Sequence, residues 1–196
     1  MVDAVANTHI VHSEFFSQQE CEHIISVFEK DKENVPYGTD TGYDNTLTAT
    51  YSKYNWLSNP DIEPLDIPNK LFRLPFFKDW KHLIIQCWGN ALHTGEDLQQ
   101  HYHGHEVEEQ FRRYYFINCN IFLGGEYNKT WYEDLDYVEN KPGDIHIFSC
   151  ELEHRVDTNT GRDTRYSMAL DIYSEYPKDE PLTRYRVFKN PYLETS

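Results

Sequence analysis

The sequence predicts a mainly β protein, a sandwich or jelly roll with helices at its N-terminal end. From residue 81 to about residue 173, short runs rich in β-branched and aromatic residues alternate with turn residues, as expected for successive strands. Aromatic residues make up 15% of the chain, and they suit a pleated, half-buried surface. Helix signals are confined to the N-terminal part, so we expect the helices to pack on one sheet.

The first helix is predicted from its capping residues. Ser17 is followed three residues later by Glu20, which is the pattern of a capping box. Apolar residues then recur at helical spacing as far as Phe28, so the pattern predicts an amphipathic helix over residues 18–30.

The segment between this helix and the β region is punctuated by turn residues. Residues 37–45 are rich in Gly, Asp and Tyr and predict a loop, and residues 46–56 predict a strand. Prolines then restrict any helix over residues 62–77 to a short one. These prolines are Pro60, Pro64, Pro68 and Pro75.

Six runs in the β region have the composition and alternation of strands. Turns are expected at Gly95, at Gly124 and Gly125, at Pro142 and Gly143, and over residues 159–161. The predicted strands span residues 83–92, 98–103, 114–123, 131–138, 144–148 and 165–173.

The length of 196 residues fits one domain with a substantial core. We therefore expect a single unit over residues 1–196. It would comprise a helical lead-in at about 13–80, a β core at about 81–175 and a C-terminal tail, 176–196, that wraps the surface.

The charge balance argues against two classes of partner. With 18 Lys and Arg against 33 Asp and Glu, the formal net charge is -15, which repels both a phosphate backbone and anionic lipid. We expect neither nucleic-acid nor membrane binding. No stretch approaches the roughly eighteen apolar residues of a membrane span, and no secretory signal begins the chain.

The four cysteines lack the paired spacing of a zinc finger or a redox motif. Three of them lie in apolar runs, which favours reduced core residues and a cytoplasmic location. The cysteines are Cys21, Cys87, Cys119 and Cys150.

A histidine cluster is the main functional signal. His101 and His103 alternate in a predicted strand, so both side chains point to one side and can meet one divalent ion. Gly104 is expected to turn His105 away. The remote His154 would add a further ligand. Nearby ligands plus one remote histidine, with coordination positions left open, form the arrangement that non-haem iron(II) oxygenases use.

The predicted strand 165–173 has one polar or small face and one apolar face. Arg165 and Ser167 open the polar face, which continues through Ala169 and Asp171. A guanidinium with a hydroxyl two residues on can hold a carboxylate through two parallel hydrogen bonds and a third from the serine. The apolar face, expected in the core, carries Tyr166, Met168, Leu170 and Ile172.

Together these motifs resemble those of the iron(II)/2-oxoglutarate-dependent oxygenases, and within them the prolyl 4-hydroxylase-like group with its phage and cyanobacterial relatives. The resemblance covers about residues 10–175. It rests on His101-x-His103, the Pro142-Gly143-Asp144 turn before His154, Arg165-x-Ser167, the lead-in segment 13–21, and Trp88-x-Asn90 followed by Gly95.

The resemblance implies a double-stranded β-helix, the cupin-like jelly roll. It implies iron(II) held by His101, His103 and His154, and the co-substrate 2-oxoglutarate anchored by Arg165 with Ser167. The implied reaction uses O2 to hydroxylate a peptide side chain or a small molecule, releasing succinate and CO2, with ascorbate as a possible reductant.

Two positions depart from the family pattern. His103 stands where the family usually has Asp or Glu, so Glu106 is an alternative second ligand, with His103 hydrogen-bonded behind it. Leu92 stands where prolyl hydroxylases often have a co-substrate-binding tyrosine, and Asn90 or Tyr114 is expected to substitute.

Two other functions stay open on the sequence. One is a three-histidine cupin-type dioxygenase that binds iron without 2-oxoglutarate. The other is a non-catalytic metal-binding jelly roll. The role of Arg165 separates the first reading from both.

Overall fold

The computed structural model describes residues 8–39, 46–104, 108–175 and 184–193. These residues form a mainly β fold of two antiparallel sheets, which confirms the predicted fold class. The strands are β1 (His9–His12), β2 (His82–Leu92), β3 (Leu98–His101), β4 (Phe116–Gly124), β5 (Lys129–Tyr132), β6 (Asp136–Glu139), β7 (Ile145–Ser149), β8 (His154–Val156), β9 (Arg165–Tyr173) and β10 (Arg186–Lys189).

The two sheets differ in size. The larger has six strands in the order β1-β7-β4-β9-β2-β10, and the smaller has four in the order β3-β8-β5-β6. Strand β9 lies at the centre of the larger sheet, between β4 and β2, so its backbone is hydrogen-bonded along both edges. The smaller sheet contributes the strands that contain two of the histidines.

The helices lie mostly in the N-terminal part, as predicted. Among the described residues they are α1 (Gln18–Asp31), α2 (Thr46–Ala49), α3 (Ile67–Phe72) and α4 (Glu109–Tyr115). Ser17 and Glu20 form the expected capping box at the start of α1. None of the described helices has the length and apolar character needed to cross a lipid bilayer.

Helix α1 packs on the outer face of the larger sheet. Its fully buried Phe28 lies against Gly89 of β2, where a Cβ atom would approach the Phe28 ring to 2.7 Å. Glycine is therefore required in the middle of this strand for the helix to reach the sheet. Met168, Leu170 and Ile172 of β9 join the same core, as the alternation predicted.

The inner faces of the two sheets enclose a cavity instead of a second apolar core. Residues of β2, β4 and β9 from the larger sheet and of β3, β5 and β8 from the smaller one line it. The cavity volume is about 330 Å³.

The strand predicted over residues 46–56 is wrong. This segment forms α2 and then short 3-10 turns at Thr50–Ser52 and Trp56–Ser58. The Thr50 hydroxyl donates to the Leu47 carbonyl at 2.7 Å and accepts from the Trp56 indole at 2.9 Å. Such local side-chain hydrogen bonds favour helical turns over a sheet ladder despite the β-branched composition.

Other boundaries also differ from the predictions. The single strand expected over residues 131–138 is two strands, β5 and β6, joined by a turn with Asp136 at a φ of 63°. Part of the C-terminal tail forms edge strand β10 on β2, so it extends the sheet instead of only wrapping the surface. Strands β1 and β8 were not predicted, because three or four residues are too few for an alternation signal.

The capping box provides a test of how α1 is stabilised. Replacing Ser17 with Ala removes the acceptor of the Glu20 amide, and we expect the free energy of unfolding to fall by about 1 kcal/mol. Urea unfolding followed by circular dichroism measures it. Ser26→Ala is the matched control, since Ser26 is an exposed residue inside the same helix; an equal loss in both variants would contradict the capping role.

Candidate active site

Pairing of β3 with β8 brings two of the three histidines together. His101 and His154 are direct Cα partners in this antiparallel pair. His103 lies just beyond the end of β3, where its backbone amide donates to the Cys150 carbonyl at 2.9 Å. The ring centroid of His101 lies 4.3 Å from that of His154, and the ring centroid of His103 lies 5.2 Å from each.

Each imidazole has its Nδ1 atom in a hydrogen bond. Nδ1 of His101 lies 2.7 Å from the Gln99 carbonyl, and Nδ1 of His154 lies 3.1 Å from the Leu152 carbonyl. Nδ1 of His103 lies 2.9 Å from Asp171 Oδ1.

These partners determine the tautomers. Carbonyl and carboxylate oxygens only accept hydrogen bonds, so each Nδ1 must donate its hydrogen. Each neutral ring then has its lone pair on Nε2, which is the form that a metal binds.

The three rings therefore suit a single metal ion. One ligand nitrogen from each histidine lies within 4.8 Å of the others. Three nitrogens that bind one ion at about 2.0–2.1 Å in tetrahedral or facial geometry lie roughly 3.0–3.4 Å apart, so side-chain rotations that bring the nitrogens about 1–2 Å closer together complete the set. Three ligands leave other coordination positions available to a bound substrate.

Burial keeps His101 and His154 neutral. Desolvation, together with the neighbouring imidazoles, lowers the pKa of His101 from 6.5 to about 4 and lowers the pKa of His154 well below its ordinary value. Protons consequently compete weakly with a metal at these two nitrogens.

Arg165 lies in the same cavity without an anionic partner. The residue is 1% exposed, and no described carboxylate forms an ion pair with its guanidinium. Its Nη2 donates to Thr130 Oγ1 at 3.0 Å and its Nη1 to Ser167 Oγ at 3.4 Å, while the buried Nε has no partner. Desolvation lowers the pKa of Arg165 to about 10, so the group remains a buried cation at neutral pH.

Several other candidates can now be placed. Ser167 contacts Arg165, and Asn90, its cross-strand partner on β2, also lines the cavity. Leu92 lines the cavity as well. Tyr114 lies instead on helix α4 with 39% of its side chain exposed, and it is not among the described residues that line the cavity. The helix turns Tyr114 outward, whereas a strand was expected there.

His105 and Glu106 lie outside the described residues. The alternative in which Glu106 replaces His103 as a ligand therefore stays a prediction from the sequence.

The structure adds three polar residues that the sequence did not assign to the site. Thr130 on β5 contacts Arg165. Asp171 on β9 contacts His103, and Asn118 on β4 donates to the same Asp171 oxygen. The sequence placed Asp171 on the same strand face as Arg165, and Asn118 stood out as a polar residue in an apolar strand. Their contact with each other and with His103 depends on strand register, which the sequence does not show.

Similarity to known proteins is found among solved structures and not in the sequence comparisons. No protein-family profile matches this sequence, and no curated protein matches it significantly. Solved structures do match. The fold is that of the iron(II)/2-oxoglutarate oxygenases.

Three of the matching structures span most of the chain. The α-ketoglutarate-dependent carbocyclase SnoK from nogalamycin biosynthesis matches with a TM-score of 0.63 and 12% identity, covering 92% of each chain. HygX from Streptomyces hygroscopicus, with nickel and 2-oxoglutarate bound, matches with a TM-score of 0.60 and 12% identity, covering 89% of this chain and 84% of that one. A Trichoplax adhaerens prolyl hydroxylase in complex with a hypoxia inducible factor peptide matches with a TM-score of 0.58 and 12% identity, covering 86% and 84%.

The neutral imidazoles make the stability of the metal-free protein pH-dependent. A histidine whose folded pKa is depressed contributes stability above its unfolded pKa of 6.5, and that stability is lost as the pH falls towards the folded value of about 4. His101→Gln removes one such group. Between pH 7 and pH 5 we expect the wild-type Tm to fall by a few degrees more than the variant Tm, an excess of about 1–2 kcal/mol.

Differential scanning fluorimetry in the presence of a chelator measures this difference. His12→Gln, a substitution at a strand β1 residue that lies outside the cavity lining, is the control and should follow the wild-type curve. Parallel curves for wild type and His101→Gln would contradict a neutral buried His101.

Proposed function

We propose that this protein is an iron(II)- and 2-oxoglutarate-dependent dioxygenase that hydroxylates a small molecule or a peptide side chain. The observation that carries the proposal is the combination of two features in one cavity. Three Nε2 lone pairs are available to one ion, and a buried guanidinium in the same cavity has no described carboxylate partner. A metal ion would bind the three lone pairs, and a dianion such as 2-oxoglutarate would pair with the guanidinium.

His101, His103 and His154 would hold the iron. Imidazole nitrogens are good ligands for iron(II), and hydrogen bonds at Nδ1 leave the Nε2 atom of each ring free to bind it. When bound, the metal supplies the O2 chemistry: one oxygen atom enters the substrate C–H bond, and the other enters succinate as 2-oxoglutarate loses CO2.

Arg165 would bind the carboxylate of 2-oxoglutarate that is remote from the metal. The guanidinium is held by Thr130 and Ser167 and stacks over the Phe122 ring at 5.3 Å, so its orientation is determined before the co-substrate arrives. A buried cation costs free energy unless it is paired, and a bound carboxylate provides that pair. Asn90, on the adjacent strand, is placed to add a polar contact.

The apolar wall behind the metal site would exclude water. Phe148 contacts the His154 ring edge-on at 4.9 Å, and Tyr132 stacks on the other side at 6.0 Å. Trp88 stacks on His103 at 5.6 Å. A dry wall strengthens the electrostatic contacts of bound anions and protects reactive species from unproductive hydrolysis.

The two proposed substrate classes, a small molecule and a peptide, are suggested by two kinds of matching structure. The matching structures include a carbocyclase of nogalamycin biosynthesis and a prolyl hydroxylase with a bound peptide. A cavity of about 330 Å³ is sufficient for 2-oxoglutarate together with the reacting part of either kind of substrate.

A three-histidine cupin-type dioxygenase is the second candidate, because the three ligands are all imidazoles. That chemistry assigns no role to Arg165. The unpaired buried cation therefore favours the first candidate.

The location is also part of the proposal. We infer a reducing compartment such as the cytoplasm, and the support is that Cys21, Cys87, Cys119 and Cys150 are all free and buried.

Succinate formation tests the proposed chemistry. Purified protein incubated with iron(II), ascorbate, O2 and 2-oxoglutarate should release succinate even without its substrate, as detected by NMR. His154→Ala should abolish this turnover. Absence of succinate from the iron-loaded wild type, when no candidate substrate restores it, would contradict the proposal.

Removing the charge of Arg165 tests the co-substrate site. Arg165→Met preserves the buried bulk but removes the charge-assisted hydrogen bonds, each worth about 1.5–3 kcal/mol. We expect the KM for 2-oxoglutarate in succinate release to rise by about tenfold to a hundredfold or more.

Arg155→Met is the matched control, because Arg155 is an arginine on β8 that pairs with Asp157 outside the cavity. It should leave the KM unchanged. A KM that is unaffected by Arg165→Met would contradict the role of Arg165 in binding 2-oxoglutarate.

A further inference from the structure

Asp171 contacts a proposed ligand through a side-chain carboxylate. Its Oδ1 accepts from His103 Nδ1 at 2.9 Å and from the Asn118 side-chain amide. The other two histidines bond to backbone carbonyls instead. Among the described residues, His103 is thus the ligand whose partner is ionisable.

The register of the strands determines the position of Asp171. Asp171 on β9 is the direct Cα partner of Asn118 on β4 and of Gln86 on β2, so three polar side chains form a row across the centre of the larger sheet. The Asp171 side chain is 16% exposed. A carboxylate so enclosed needs hydrogen-bond donors, and Asn118 and His103 supply them.

No described lysine or arginine forms an ion pair with Asp171. Arg165 lies on the same face of β9 at its other end, and no described carboxylate pairs with it. Along about 20 Å of strand, the cavity therefore has an anion at one end and a cation at the other, each lacking a full charge partner. A divalent metal near Asp171 and a dianion near Arg165 would neutralise both.

We propose that Asp171 is a positioning residue that restores, through His103, the negative charge that an acidic second ligand would have supplied. This inference rests on the proposed function. Three neutral imidazoles leave a divalent ion with its full charge of two, whereas a carboxylate hydrogen-bonded to a ligand imidazole makes that imidazole a stronger electron donor.

Two contacts at different angles hold His103 in place. The hydrogen bond to Asp171 acts in the plane of the ring, and Trp88 stacks on its face at 5.6 Å with an interplanar angle of 25°. This orientation matters because His103 lies beyond the end of β3, where ladder hydrogen bonds no longer hold the backbone. Asp171 thus both orients the ring and tunes its basicity.

Cobalt(II) binding tests the inference without turnover. Asp171→Asn preserves an acceptor of the same size but removes the charge, and we expect cobalt(II) affinity to fall about tenfold to a hundredfold. The visible absorption spectrum of the cobalt(II) protein at saturation should also shift, which a merely structural role would not cause. Asp171→Glu should recover part of the affinity.

Asp157→Asn is the matched control. Asp157 is a carboxylate that accepts from Arg155 and Tyr137 outside the cavity, so its loss should leave cobalt(II) affinity and spectrum unchanged.

A double-mutant cycle decides whether Asp171 acts through His103. In the His103→Ala background, Asp171→Asn should cost no further affinity, because the residue it acts through is gone. An undiminished loss in that background would identify Asp171 as a direct ligand or a remote charge and overturn the inference. Unchanged affinity and spectrum in Asp171→Asn alone would also overturn it.

The outcomes separate this inference from the proposed function. If the wild type binds cobalt(II) and releases succinate with iron(II) but Asp171→Asn behaves as wild type, only the role of Asp171 fails. If the wild type binds no metal, both fail.

Discussion

The antiparallel pairing of β3 with β8 is the constraint on which the candidate site depends. It sets His101 directly opposite His154, although the two residues are far apart in the sequence. Both strands are short, and β8 also pairs with β5 on its other edge, which anchors the pair in the smaller sheet. The same loop that leads into β8 offers the Cys150 carbonyl to the His103 amide, which brings the third imidazole beside the other two.

The central strand β9 divides the molecule into a stabilising side and a chemical side. Its outward side chains join the apolar core under helix α1, where Phe28 lies against Gly89. Its inward side chains include Arg165 and Asp171, which are buried or nearly so and have no full charge partner in the part of the chain that the structure describes. Apolar burial on the opposite face offsets the free-energy cost of enclosing these two charges. Because the charges are not neutralised, the cavity is electrostatically suited to bind ions.

The three imidazoles add no charge of their own to this cavity when they are neutral. Burial lowers the pKa of His101 and of His154, and hydrogen-bond acceptors at Nδ1 place the lone pairs on Nε2. The result is a candidate metal site whose ring orientations are fixed by hydrogen bonds, with Asp171 behind one candidate ligand and Arg165 lining the same cavity.

The sequence by itself determined the β-rich class, helix α1 with its capping box, the exact span of β9, and the candidate residues His101, His103, His154 and Arg165. The β-rich class, the helix, the strand and the His101–His103 pair follow from periodicity and local spacing. The roles of His154 as a ligand and of Arg165 as the co-substrate anchor are what the resemblance to the iron(II)/2-oxoglutarate oxygenases implies. It misassigned residues 46–56 and Tyr114, because hydrogen bonds and packing override β propensity there. Only the tertiary structure decided that Asp171 contacts His103 and that Thr130 contacts Arg165. Those contacts depend on the register and order of strands from distant parts of the chain, which local pattern does not encode.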